Sequence, residues 1–144
     1  MSEANTIPPF RSVTEEYLSL ISGMVNAFAH HRIITDENGI PIDYVFLEVN
    51  EAFERMTGLS REEVLGKRVT EVLPGIDEED FNWIKEYGKV ALTGKRQTFE
   101  QYSEVLNRWY SVAAFSPLRG EFVTVFNEIT DYVKNKQRLE DELQ

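Results

Sequence analysis

The sequence predicts an α+β domain, and three features carry that prediction. Two short helices with their caps lie in tandem between Asn50 and Gly66, an Asx-Gly turn sits at Asp36–Gly39, and strands of alternating polarity follow Phe99. Residues 1–13 are polar, contain Pro8–Pro9, and predict a mobile tail. Across 14–27, Tyr17, Leu18, Ile21, Met24 and Val25 recur at helical spacing, continued by Phe28, and predict an amphipathic leading helix. Asp36-Glu37-Asn38-Gly39 then joins strands at Arg32–Thr35 and Asp43–Val49, because Gly readily takes the positive φ a tight turn needs.

Asn50 caps the first short helix, Ala52, Phe53 and Met56 form its apolar stripe, and Gly58 ends it in the left-handed region. Ser60 and Glu63 have capping-box spacing for the second, which Gly66 closes. Asp77 or Asp80 starts a longer helix running to Gly94, with Phe81, Trp83, Ile84, Tyr87, Val90, Ala91 and Leu92. Gly88 inside it costs about 1 kcal/mol against Ala, and the helix serves either as the lid of a pocket or as plain core. In the strand after it, Phe99 and Gln101 share a face whose register stays open. From Trp109 to Ser116, Tyr110, Val112 and Ala114 oppose Trp109, Ser111 and Phe115; in the last strand, Phe122, Thr124 and Phe126 oppose Val123, Val125 and Asn127.

Composition bounds the function. A chain of 144 residues with 42% hydrophobic content builds one core. No run of about 20 apolar residues is present, and the start lacks the pattern of a secretory signal, so the expectation is a cytoplasmic protein without a membrane span. Zero Cys removes disulfides, thiol nucleophiles and thiolate ligands. A formal charge of −10 argues against nucleic-acid binding.

The segment EVNEAFERMTGLSREEVLGK at Glu48–Lys67 resembles the middle of a PAS sensor domain, and the order of elements around it extends the resemblance over about Phe28–Thr130. The resemblance implies a PAS fold: a five-stranded antiparallel sheet with short helices on one face, a flanking helix at 14–27, the PAS domain at 28–130 and a signalling helix beginning at 131–144. It also implies a sensory module of a bacterial or archaeal signalling protein, of the kind placed ahead of diguanylate cyclase or histidine kinase modules. Tyr110, Val112, Ala114, Phe122, Thr124 and Phe126 then face the helices where ligands bind, joined by Trp83, Tyr87, Phe99 and Gln101 as candidates. Small Ala114 and Thr124 either leave room for a small molecule or let large neighbours interdigitate. The leading helix either covers the outer face of its own sheet or enters a dimer contact.

Flavin photosensors of this superfamily carry a reactive Cys after the second short helix, where this chain has Val69, so no cysteinyl-flavin adduct is expected; noncovalent flavin stays open. Haem-binding relatives use a His on the long helix, and Asp77–Lys95 contains none. The His pair, His30 and His31, points to opposite sides of a strand and predicts no metal site. Glu48, Glu100 and Glu128 are the carboxylates that come together if the domain does acid–base chemistry, but no nucleophile or phosphate-loop motif accompanies them, and no catalysis is expected.

Members of the family commonly end in an Asp-Ile-Thr-like motif, matched here by Glu128-Ile129-Thr130 with Glu in place of Asp. Thr130 is placed to cap the next helix, where Ile129, Tyr132, Lys136, Leu139 and Leu143 repeat at three- and four-residue spacings like a coiled-coil seam. Tyr132, Leu139 and Leu143, with Trp109 and Phe115 on the outer sheet face, are the candidate homodimer residues. The pattern reaches Gln144 in mid-helix, the expectation for a sensor fragment fused to an effector, and an isolated small PAS protein would end in the same way. The expected function is thus small-molecule or partner sensing, passed through Glu128, Ile129 and Thr130 to the helix; the alternative is a ligand-free module that pairs output domains.

Overall fold

The structure, a computed structural model, describes residues 24–144. Five antiparallel strands form one sheet: β1 (Ala27–Thr35), β2 (Pro41–Val49), β3 (Gln97–Ser103), β4 (Arg108–Phe115) and β5 (Glu121–Glu128), in the spatial order β2-β1-β5-β4-β3. Between β2 and β3 lie the helices α1 (Glu51–Thr57), α2 (Arg61–Val64), α3 (Val69–Val72), a 3-10 turn (Ile76–Glu78) and α4 (Trp83–Thr93); α5 (Thr130–Glu142) follows β5. The core fills the space between these helices and one face of the sheet.

Local chemistry explains most elements. Asp36 Oδ1 accepts from the amides of Asn38 at 2.8 Å and Ile40 at 3.0 Å, and Gly39 at φ 81° closes the β1–β2 turn. Asn50 caps α1 by accepting from Phe53 N at 2.9 Å, and the same oxygen accepts from Phe28 N at 3.0 Å, so one side chain ties the helix to the first strand. Ser60 and Glu63 form the capping box of α2, and Gly66 turns at φ 78°. Thr70 Oγ1 donates to the buried carboxylate of Asp43 at 2.6 Å, fastening α3 to β2.

Three sequence expectations change. The leading helix does not reach Ala27: residues 24–26 are not helical, Val25 is exposed, and Ala27 and Phe28 pair with Phe126 and Val125 in the sheet. Ladder hydrogen bonding claims those backbones, although Met24 and Phe28 still share an outer-face cluster with Val123. Residues 14–23 of that expected helix, and the expected tail at 1–13, lie outside the described residues. The long helix starts at Trp83, capped by Asn82, and not at Asp77 or Asp80. The carboxylate of Glu79 accepts from Trp83 Nε1 and from the amides of Glu104 and Val105, so residues before the helix are held against the β3–β4 turn. Thr130 is not a cap: it is the first helical residue, and its hydroxyl is used elsewhere.

Gly88 has a packing reason that its propensity cost hides. A Cβ there would lie 2.3 Å from Pro41 Cγ, so α4 approaches the start of β2 only with no side chain at this position.

Candidate functional site

Alternation along β1 turns Ala29, His31 and Ile33 toward the helices, and the register His31↔Phe122 and Ala29↔Thr124 sets them beside the inner residues of β5. A cavity of about 70 Å³ lies over this surface. Its floor is Ala29, His31, Tyr44 and Phe46 from one half of the sheet and Tyr110, Val112, Thr124 and Phe126 from the other. Phe53 and Thr57 of α1, Leu59, Leu73 and Ile76, and Trp83 and Tyr87 of α4 form the roof, while Ser103 and Leu106 close the side at the β3–β4 turn.

Of the sequence candidates, Trp83, Tyr87, Tyr110, Val112, Thr124 and Phe126 come together on this wall. Phe122 is fully buried beneath it, its ring stacked on His31 at 4.3 Å and on Tyr87 at 4.8 Å. Phe99 packs behind the wall against Phe81, Trp83 and Tyr87. Ala114 is buried but is not among the residues that line the cavity. Gln101 pairs with Tyr110, which puts it on the inner side of β3, but Ser103 takes the place on the wall. His31, Tyr44 and Phe46 are the principal wall residues that sequence reading missed; the period-two pattern groups His31 with Ala29 and Tyr44 with Phe46 but leaves open which group faces inward.

The wall carries no charged side chain. Burial lowers the pKa of His31 to about 3, against a smaller opposing contribution from the Phe122 main chain, so the imidazole is neutral at physiological pH. Burial likewise raises the Tyr44 and Tyr87 phenols far above their usual range and pushes Tyr110 up to about 12, Arg108 opposing. Several polar atoms around the cavity are engaged. Tyr110 Oη donates to Met56 O at 2.7 Å, beside Arg108 Nη1 at 2.6 Å; Thr57 Oγ1 donates to Phe53 O; Trp83 Nε1 donates to Glu79.

The remaining carboxylate and imidazole candidates do not assemble. Glu48 and Glu100 sit on the two edge strands, four strand spacings or about 19 Å apart. Glu48 instead binds Arg61 through two hydrogen bonds of 2.7 and 2.9 Å, and Glu128 is exposed at the end of β5. His30 faces away from His31 and meets Glu121 at 2.8 Å. Among the described residues no three His, Asp or Glu side chains form a cation cluster.

The far end of the site is the junction with α5. Ile129 N donates to Trp109 O at 2.8 Å, and Trp109 N donates to Thr130 Oγ1 at 2.9 Å, so the main chain of one β4 residue holds both ends of the β5–α5 link. Beyond it α5 buries no residue, and Tyr132, Leu139 and Leu143 are exposed. On the outer sheet face Trp109 meets the Tyr102 ring at 5.6 Å, and Phe115 joins the cluster of Phe28 and Val123 under the Arg96 guanidinium. No helix among the described residues is long and apolar enough to cross a membrane.

The fold is shared with solved structures of low sequence identity. An RNA-binding light-oxygen-voltage receptor superposes with a TM-score of 0.63 at 18% identity, over 96% of this chain and 38% of that one; this chain thus spans well under half of the receptor. A domain of a sensory box sensor histidine kinase/response regulator from Geobacter sulfurreducens gives 0.51 at 16% identity, covering 79% and 92%. The PAS domain of an HTR-like protein from Haloarcula marismortui gives 0.53 at 19%, covering 85% and 96%. No curated protein matches the chain. The family model of the PAS domain matches residues 30–131, and with the strand order and capped helices in place the chain belongs to the PAS domain family.

Proposed function

We propose that this PAS domain is a sensor that takes a small molecule into the inner cavity and reports its presence through α5. The observation that carries the reading is the adjacency of two β4 residues. Tyr110 stands on the cavity wall, and its neighbour Trp109 holds Ile129 and Thr130 through its main chain. A displacement of β4 by an occupant therefore reaches the root of α5 within one residue.

The exposed Tyr132, Leu139 and Leu143 then pair with the same helix of a second copy, and occupancy changes the packing or rotation of that pair. Trp109 and Phe115 on the outer face share the contact, since so short a seam is marginal alone. The effector is a fused diguanylate cyclase or histidine kinase, supported by the fold likeness to the sensory box kinase domain. The RNA binding named for the light-oxygen-voltage receptor is not carried over, because a chain of formal charge −10 repels a phosphate backbone. Flavin does not fit this cavity: about 70 Å³ is far below the roughly 300 Å³ at which cofactor pockets begin, its wall offers no cation to a phosphate, and Val69 carries no thiol.

Native mass spectrometry of freshly expressed protein, with an absorbance spectrum, tests the reading. A bound mass that dissociates on unfolding is expected. Chain alone, with no compound of a broad small-molecule panel raising Tm, overturns it in favour of a ligand-free pairing module.

A further inference from the structure

A molecule can occupy the inner cavity only if the wall parts first, because about 70 Å³ is far below the roughly 300 Å³ of an ordinary ligand pocket. Of the residues that line it, Leu59, Leu73, Leu106 and Phe126 are partly exposed, and the three leucines stand in connecting segments: Leu59 between α1 and α2, Leu73 just after α3, Leu106 in the β3–β4 turn. Leu73 and Leu106 flank a close approach of two of these segments, since a Cβ on Gly75 would lie 3.6 Å from Val105 Cγ1. Glu79 bridges the same two segments. Its side chain is in no ion pair among the described residues, and the residue is 8% exposed. Oε1 accepts from Trp83 Nε1 and from Glu104 N, both at 3.0 Å, and Oε2 accepts from Val105 N at 3.2 Å.

We propose that the seam between residues 73–76 and 103–106 is the entrance to the cavity and that Glu79 is the latch that keeps it shut. The proposal rests on the reading of the cavity as the sensory site and adds how that site is opened. Two of the three latch bonds are made to amides of a turn, and water satisfies those amides as soon as the turn lifts, so this edge opens without breaking the sheet ladder. The bonds still hold the seam at rest, because a hydrogen bond to a carboxylate is roughly twice as strong as a neutral one. The third donor belongs to the wall itself: Trp83 lines the cavity, so a molecule that displaces its indole disturbs the carboxylate that holds the turn. The neighbouring rim is tied more deeply, since Arg108 and the buried Tyr110 both donate to Met56 O and fix α1 to β4. The turn runs straight into β4, whose Trp109 holds the root of α5, so admission and report act on one strand.

Glu79→Gln tests the latch, because it keeps the shape of the side chain and turns one carboxylate oxygen into an NH2 that faces a donor. The chain has no Cys, so Thr124→Cys places a single thiol on the cavity floor, and iodoacetamide, a small neutral reagent, is the probe of access to it. In the full chain, Glu79→Gln should raise the labelling rate of that thiol about ten-fold, the difference between a charge-assisted and a neutral set of bonds. By mass spectrometry, amide exchange of peptides covering 73–79 and 103–106 should rise by the same factor, while β1 and β5 keep the rates of the parent. Unchanged labelling and seam exchange in a folded Glu79→Gln overturns the latch and leaves the sensory reading standing. Faster seam exchange with unchanged labelling overturns the seam as the entrance, and equal acceleration throughout the sheet overturns the latch by making Glu79 a support of the whole fold. Neither measurement uses a ligand, so a chain that carries no bound mass in native mass spectrometry overturns the sensory reading by itself and leaves the latch to these rates. NMR exchange in the parent decides the matter even if Glu79→Gln does not fold: the amides of Glu104 and Val105 and the Trp83 indole should open with one common protection factor, lower than that of the β1 amides, and independent opening of the three overturns the latch.

Discussion

Replacing Thr130 with Val removes the oxygen that accepts from Trp109 N while keeping the shape of the side chain. The Trp109 amide is only half-buried, so water partly replaces the lost partner and the cost falls near the centre of the range for one hydrogen bond, about 1 kcal/mol. For a domain of this size that is a fall in Tm of about 4 °C. The local consequence is more telling than the global one. The second tie, Ile129 N to Trp109 O, shares the same β4 residue, so opening of the α5 root becomes easier by the same free energy, about five-fold in population. Amide exchange followed by mass spectrometry reads it: peptides covering Trp109 and Ile129–Val133 should exchange about five-fold faster in Thr130→Val, and Thr130→Ser, which retains the hydroxyl, should behave as the parent. Parent-like exchange in Thr130→Val, or equal acceleration in Thr130→Ser, would refute the idea that this hydroxyl fastens the helix to the sheet.

Three further outcomes follow from the same structure. The pKa of His31 is depressed from 6.5 to about 3 on folding, so its contribution to stability is full above pH 6.5 and declines as pH falls toward 3; between pH 7 and 5 the parent should lose about 2 kcal/mol more than His31→Phe in urea titrations, and parallel curves would contradict the burial argument. Leu139→Glu with Leu143→Glu should weaken self-association in sedimentation without changing the melting of the domain, since both side chains are exposed in the protomer; an unchanged dimer constant would remove the seam. Gly88→Ala should destabilise in thermal melts, because overpacking of about 1–3 kcal/mol against Pro41 exceeds the helix-propensity gain of about 1 kcal/mol; a stabilised variant would show that β2 yields at that contact.

What the sequence disclosed and what it hid divide along physical lines. Caps are local, and Asn50, Ser60 and Glu63 act on amides three residues away, as their spacing implies. Alternation divides β4 and β5 into two faces, the resemblance to PAS domains picks the inward one, and Tyr110, Val112, Thr124 and Phe126 do meet on the cavity wall. Readings that depend on distant partners failed. Asp77 and Asp80 are good caps, but Glu79 ties their segment to Glu104 and Val105, and the helix waits until Asn82. Thr130 has a capping side chain, yet Trp109 from another strand claims it. Between His30 and His31 no local signal tells inside from outside; the pairing with Phe122, and the register shift between the two His in the β1–β2 ladder, make that choice.

The central claim is that filling the inner cavity is felt at α5. Thr124→Phe places a ring in that space without any ligand, since Thr124 lines the cavity and is 2% exposed. Amide exchange of this variant beside the parent is the direct measurement. The account predicts altered exchange both in the peptides of His31 and Tyr110 and in Ile129–Val133. Exchange that changes around the cavity while Ile129–Val133 stays identical to the parent would contradict it.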